Sequence, residues 1–290
     1  MVISLEAVRR HILIALFSDD ELMDALVLKG GNALALIYKV GSRASLDMDF
    51  SIRSAFDDVD RAGKRIIAAL RSEFARIGFV TFDEKFEIKP TRRLVDQPEW
   101  WGGYRVEFKL ALRSTFDKFG HDLEKLRRNS EVLGPLQRKT YSIDISQHEF
   151  CEGKVQREVD DYLIYVYSLE MIIAEKLRAI CQQMPQYKLS RTAAPRARDF
   201  YDIYEAITSN NINMLAAENR EIVAAVFSAK AVPLELLCRI GDSRDFHELD
   251  WPAVSDSISG SKMSFDFYFD FVSTVAMKLY ATWVIESPLG

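Results

Sequence analysis

Cysteine and histidine are too few and too scattered in this 290-residue chain to build the usual metal or redox sites. There are three cysteines, Cys151, Cys181 and Cys238, and four histidines, His11, His121, His148 and His247. No C-x-x-C pair occurs and no histidine stands at ligand spacing from another, so reduced cysteines and no structural zinc are the default reading. A reducing cytoplasm is the expected setting. No apolar run approaches the roughly 20 residues needed to cross a bilayer. G-x-S-x-G, the Walker sequence and G-x-G-x-x-G are all missing, which removes a nucleophile-elbow hydrolase and the two commonest nucleotide-binding loops. With 13 glycines, 8 prolines and no repeat or low-complexity tract, the chain is neither fibrous nor disordered.

What remains is an ordinary globular composition, 48% hydrophobic and 28% charged, at a length that favours two units over one. The net charge of −5 gives no global attraction to nucleic acid, so any such binding must be local. Two stretches are locally basic, 124–140 and 188–198, the second carrying Lys188, Arg191, Arg196 and Arg198. Solvated loops explain the first stretch equally well.

Leu5, Val8, Ile12 and Leu16 recur at helical spacing among charges, which predicts a folded N-terminal helix rather than a signal peptide. A short apolar run, Leu26 to Leu28, leads into Lys29-Gly30-Gly31-Asn32 and a helix over about Ala33 to Tyr38. "SLDMDFSI" reads as a strand, Val59 to Ile77 as an amphipathic helix, and 79–89, 104–112 and 140–146 as further strands. From Ser168 the periodicity is helical, with helices near 168–184, 196–208, 218–230 and 263–285. The sequence therefore predicts an α+β unit with a small mixed sheet over residues 1–160 and a helical unit over 161–290.

In "SLDMDFS", Leu46, Met48 and Phe50 point to one face of a strand while Asp47 and Asp49 point to the other. Two carboxylates so placed repel unless a cation lies between them, and magnesium, a hard ion held by one or two carboxylates plus substrate phosphates, fits. A solvated edge would explain a bare D-x-D. The preceding Gly30-Gly31 shifts the balance, because glycines leading straight into a helix let backbone N–H groups approach phosphate oxygens. A third acid would complete a two-metal arrangement. Asp144, between Ile143 and Ile145, is preferred to Glu107, which reads as the outward residue of an amphipathic strand. Lys176 falls near the centre of the apolar stripe Leu169, Ile172, Ile173 and Ile180; it either snorkels to water or reaches phosphates across an interdomain cleft. In either case its replacement by methionine is expected to leave packing intact. Asp199 and Asp202 lie three apart on the next helix, where an Arg198–Asp202 surface pair is the simplest structural explanation.

Together, "LKGGNAL", R-x-S-x-D-x-D-F (Arg43, Ser45, Asp47, Asp49, Phe50), "IDIS", "AEKLRA" and "RDFYDIY" resemble the AbiEii/AbiGii-type nucleotidyltransferase toxins of type IV toxin–antitoxin and abortive-infection systems. The shared order covers about residues 28–205. The resemblance implies a polymerase-β-like nucleotidyltransferase domain with a helical C-terminal domain. It also implies transfer of a nucleotide from a triphosphate to an acceptor, in some members the 3′ end of tRNA, and an antitoxin encoded nearby. Carried over by position, Asp47, Asp49 and Asp144 are the metal-binding acids and Lys176 and Asp199 complete the catalytic set. Lys29, Gly30, Gly31, Asn32, Arg43, Ser45 and Lys176 bind the nucleotide. Asn32 departs from the Thr or Ser usual at its position. A metal-dependent glycosyltransferase, which also uses D-x-D, and a noncatalytic nucleotide- or partner-binding protein are the alternatives.

Overall fold

The structure is a computed structural model that describes residues 3–40, 47–92, 98, 100–132, 138–189, 193–258 and 260–286. Its strands are β1 (Val27–Lys29), β2 (Met48–Ser51), β3 (Phe79–Lys89), β4 (Gly103–Leu112), β5 (Tyr141–Ser146), β6 (Lys154–Val159) and β7 (Tyr162–Tyr167). They form one seven-stranded sheet in the order β3-β4-β5-β2-β1-β7-β6. The sheet is mixed: β2 runs parallel to β5 and β1 parallel to β7, while β3–β4 and β4–β5 are antiparallel.

The helices are α1 (Leu5–Phe17), α2 (Asp20–Ala25), α3 (Gly30–Asn32), α4 (Val59–Arg76), α5 (Arg113–Phe119) and α6 (Leu123–Arg128). They continue with α7 (Leu169–Cys181), α8 (Ala197–Asn210), α9 (Ala217–Ser228), α10 (Arg244–Glu248), α11 (Trp251–Ser257) and α12 (Phe265–Glu286). A π-helical segment, Ala33–Tyr38, extends α3, and a 3₁₀ stretch, Leu234–Ser243, precedes α10.

The chain forms two compact units. The first comprises the described residues of Met1–Leu28, Ser45–Cys151 and Val155–Val166. Its core is made by stripes: Val8, Ile12 and Leu16 of α1, Ile66, Leu70 and Phe74 of α4, and Phe50, Val106, Ile143 and Ile145 of the sheet are all buried. The two long helices α1 and α4 start where a side chain satisfies an orphan N–H. Ser4 Oγ accepts from Ala7 N–H at 3.1 Å before α1, and Asp58 Oδ1 accepts from Arg61 N–H at 2.9 Å before α4.

The second unit comprises the described residues of Lys29–Ala44, Glu152–Lys154 and Tyr167–Gly290. Ile172, Leu177 and Ile180 of α7, Phe200 and Ile203 of α8, Phe227 of α9, and Phe265, Phe269 and Leu279 of α12 are its buried centre. Phe200 stacks on Phe269 with ring centroids 5.1 Å apart. "SFDFYFDF" is thus read by helical rather than strand periodicity, since Phe265, Phe269 and Val272 face inward together.

The mixed sheet and helical C-terminal region are the expected fold class. Beyond the four expected strands the sheet gains β1, formed by the apolar run before Gly30, and the hairpin β6–β7. Arg43, Ser45 and Arg191 lie outside the described residues.

Candidate active site residues

The acids of the first unit stand in a row. Cα register pairs Asp49 of β2 with Asp144 of β5, and Asp144 in turn with Arg105 of β4. Residues in register on neighbouring strands point to the same face, so these three side chains lie abreast, neighbouring strands being about 4.8 Å apart. The opposite face explains why: Met48, Phe50, Ile143, Ile145, Tyr104 and Val106 are buried, and alternation turns the charged residues away from the core. Asp47 immediately precedes β2 and, like Asp49, is half-buried.

Arg105 grips Asp144 with two parallel bonds, Nε to Oδ1 at 2.7 Å and Nη2 to Oδ2 at 2.8 Å. That bond, reinforced by Asp47 and Glu107 nearby and opposed by partial burial, raises the Arg105 guanidinium above its ordinary value. Sequence reasoning missed Arg105 because an arginine in "YRVEFKL" looks like any outward strand residue. Its only signal is alternation in step with Glu107. Glu107 itself lies opposite Ser142, on the same face.

In the second unit, β1 ends at Lys29 and the chain turns at Gly30, whose φ of 70° is left-handed backbone that glycine adopts without strain. Lys29 is buried and its Nζ lies 3.3 Å from Glu175 Oε1; Arg178 Nη2 approaches the same oxygen at 3.7 Å. Asn32 is buried at the end of α3.

Lys176 follows Glu175 on α7, only 6% exposed, with its ammonium 2.8 Å from Asp199 Oδ1 and 2.8 Å from Asp202 Oδ2. The ammonium does not reach water, so snorkelling is not the reason for a lysine on this stripe. The i, i+3 spacing of the acids on α8 presents both to one cation. Arg196 also bonds Asp199, and Arg198 Nε lies 3.6 Å from Asp202 Oδ2. Asp202 is therefore a buried, shared partner rather than half of a surface pair. Burial alone would lower the Lys176 pKa, but Asp199 and Asp202 outweigh it and hold the lysine above its usual range. Conversely, burial opposes the Asp199 charge, and Arg196 and Lys176 overcome it, holding that carboxyl below the usual range.

The comparisons bear on what these groups do. The family described as "Nucleotidyl transferase AbiEii toxin, Type IV TA system" matches residues 11–271. The chain belongs to the AbiEii nucleotidyltransferase toxin family. Comparison with curated proteins finds no match. Among solved structures, a Helicobacter pylori protein classed as a nucleotidyltransferase is 19% identical, with a TM-score of 0.49 over 98% of this chain and 97% of that one. JHP933 from Helicobacter pylori is 19% identical, with a TM-score of 0.46 and coverage of 97% and 92%. MenT4, a nucleotidyltransferase toxin from Mycobacterium tuberculosis, is 15% identical, with a TM-score of 0.43 and coverage of 96% and 82%. At such identities and scores the assignment rests on the family match alone. Membership makes this AbiEii chain a nucleotidyltransferase and decides against the glycosyltransferase and noncatalytic readings.

Proposed function

We propose that this AbiEii-family enzyme moves a nucleotide from a magnesium–nucleoside triphosphate to an RNA acceptor, with the 3′ end of tRNA as the favoured acceptor, and that this transfer is the toxic activity. The observation that carries the reading is the abreast placement of Asp49 and Asp144 on one sheet face of a nucleotidyltransferase-family chain.

The donors on that face suit a hard divalent ion. Asp47 and Asp49 would hold it together with triphosphate oxygens, the mode in which magnesium is usually bound. A cationic group already sits against this face, since Arg105 bridges to Asp144. Among the described residues no three acid, histidine or cysteine side chains are grouped as a metal cage. Bound magnesium supplies Lewis-acid polarisation of the phosphoryl group and neutralises charge on the departing pyrophosphate.

The remaining roles fall to the chain's own groups. The acceptor's hydroxyl oxygen bonds to the α-phosphorus, the bond from that phosphorus to pyrophosphate breaks, and the hydroxyl proton passes to solvent or to an acid of the row. Asp144 is assigned as the third acid, which it becomes when Arg105 exchanges its carboxylate for the triphosphate, a ligand its planar fork suits equally well. Gly30 and Gly31, with Lys29, Asn32, Arg43 and Ser45, are assigned to the triphosphate. Lys176 and Asp199 are assigned as the charged pair of the catalytic set, with Asp202 and Arg196 positioning them. The basic run near 188–198 contributes less to an RNA surface than its composition suggests, because Arg196 and Arg198 turn toward Asp199 and Asp202; Lys188 is exposed. An antitoxin encoded nearby is the expected partner. No helix among the described residues is long and apolar enough to cross a membrane, and the proposed setting is the cytoplasm.

The test is to incubate the protein and magnesium with each labelled triphosphate and total cellular RNA, then sequence the labelled ends. The reading predicts label on RNA 3′ termini from a preferred triphosphate. Label on a sugar or protein instead of RNA, or on nothing with any triphosphate, would overturn it.

A further inference from the structure

A cavity of about 430 Å³ lies wholly within the second unit, between the turn after α7 and the start of α10, and none of the residues assigned above lines it. Met184, Pro185 and Phe246 give it apolar walls, Gln186 stands exposed at its rim, and Arg239 and Asp242 are its charged lining. Those two charges are paired, Nε to Oδ2 at 3.3 Å, so the lining has no net charge to offer a phosphate or a carboxylate. Gln183 and Ser243 also line it, donating to Ala179 O and Ile240 O, and His247 adds a fully buried polar wall.

The imidazole has a fixed tautomer. Its Nδ1 accepts the backbone N–H of Arg196 at 3.1 Å, and burial, opposed by Asp199 and aided by Arg196, pushes its pKa down to about 4. The neutral ring must then carry its proton on Nε2, where it is a buried donor with no hydrogen-bond partner among the described residues. Leaving such a donor unsatisfied costs about 1–3 kcal/mol, so the group calls for an explanation. Phe200 and Phe246 pack against the ring tilted and edge-on, with centroids at 5.2 and 5.1 Å, and with the Arg196 bond they fix its position.

We propose that this cavity binds a nucleobase, its flat ring lying against Phe246, Met184 and Pro185 and a ring nitrogen or carbonyl oxygen accepting from His247 Nε2–H. The lining carries no net charge and so suits an uncharged planar ring; the unsatisfied Nε2 donor demands an acceptor on its edge; the volume lies in the range of small-molecule sites. Arg196 ties this pocket to the assigned catalytic set, since its backbone holds His247 and its side chain holds Asp199. The proposal rests on the nucleotidyl-transfer reading only in expecting that the base belongs to the triphosphate or to the RNA acceptor.

With four histidines in the chain, imidazole nitrogen resonances are assignable, and binding is read directly from them. Adenosine, guanosine, cytidine and uridine are titrated into the full chain while the Nε2–H correlation of His247 is followed. The four triphosphates and a short oligoribonucleotide form the second and third arms. At least one nucleoside is expected to shift that correlation saturably, and the arm that competes with it tells donor base from acceptor base. His247→Asn keeps an acceptor where Nδ1 sits and removes the Nε2 donor, so it should weaken binding at least tenfold. If that variant fails to fold, Gln186→Trp fills the rim from an exposed position and must abolish the same shift. No shift with any nucleoside up to its solubility, or undiminished binding in the variants, would overturn the proposal. RNA labelling by a protein whose His247 stays silent would sink the pocket alone, whereas a saturable shift without any transfer would sink the transfer reading and leave the pocket standing.

Discussion

Lys176 carries its charge where charge is expensive, and two carboxylates make the position tolerable. Lys176→Met, although close in shape, leaves Asp199 and Asp202 facing one another at 5% and 4% exposure without their shared cation. Breaking a buried pair from one side typically costs about 3–5 kcal/mol. Denaturant unfolding should show a loss of that order, partly restored when Asp199→Asn and Asp202→Asn are added. Unchanged stability of the single variant would mean that the three groups do not depend on one another. His247 gives a second residue-level expectation. In the folded chain it stays neutral down to about pH 4, whereas in the unfolded chain it takes up a proton near 6.5. Its contribution is therefore fully present above pH 6.5 and is lost as pH falls toward 4, on the order of 3 kcal/mol in all. His247→Asn should flatten the pH dependence of stability in that window; an identical slope in the variant would contradict the fixed neutral tautomer. Asp47, Asp49 and Asp144 were legible as candidates because acids that alternate with Met, Phe and Ile stand out. Arg105 was not, since only strand register reveals that it lies abreast of Asp144.

Among the elements, the glycine turn is the most sharply constrained. Gly30 at φ 70° leads β1 into α3, and a Cβ in left-handed backbone costs about 1–2 kcal/mol. Gly30→Ala should lower the midpoint of unfolding accordingly, while Gly31→Ala, where no positive φ occurs, should cost less. Equal losses would show that the turn imposes no special conformation. The elements α4, α8 and α12 were legible because each buries a stripe against a core, and α1 and α7, buried on most sides, because their apolar residues still recur at helical spacing. The hairpin β6–β7 was not: β6 buries none of its residues, so its sequence shows no alternation to read. Its one local sign was the dipeptide Asp160-Asp161, both at positive φ, as a two-residue hairpin loop requires. The short helix α6 overlaps the basic stretch 124–140, which solvated loops explained equally well, and α5 lies just before it. There, the partly exposed Arg127 bonds Asp83, and that bond, with Lys109 beside it, holds the Asp83 carboxyl down to about 2.

For the whole molecule, a net charge of −5 and a nucleic-acid acceptor are compatible only if a few cations do the binding. RNA affinity should then fall with salt by a slope of about 0.7 per phosphate contacted, and a shallow slope of two or three such contacts is expected; independence from salt would contradict an electrostatic acceptor site. The central claim is that a carboxylate row in an AbiEii-family chain performs metal-dependent nucleotidyl transfer, and pyrophosphate release coupled to RNA labelling tests it most directly. The measurement is made across a magnesium titration for the wild type and for Asp49→Asn, with thermal unfolding of both proteins alongside. The wild type should release one pyrophosphate per label incorporated, only when magnesium is present. Asp49→Asn should lose at least a thousandfold in rate, about 4 kcal/mol of transition-state stabilisation, with its unfolding midpoint unchanged. Wild-type turnover by Asp49→Asn at saturating magnesium would contradict the account.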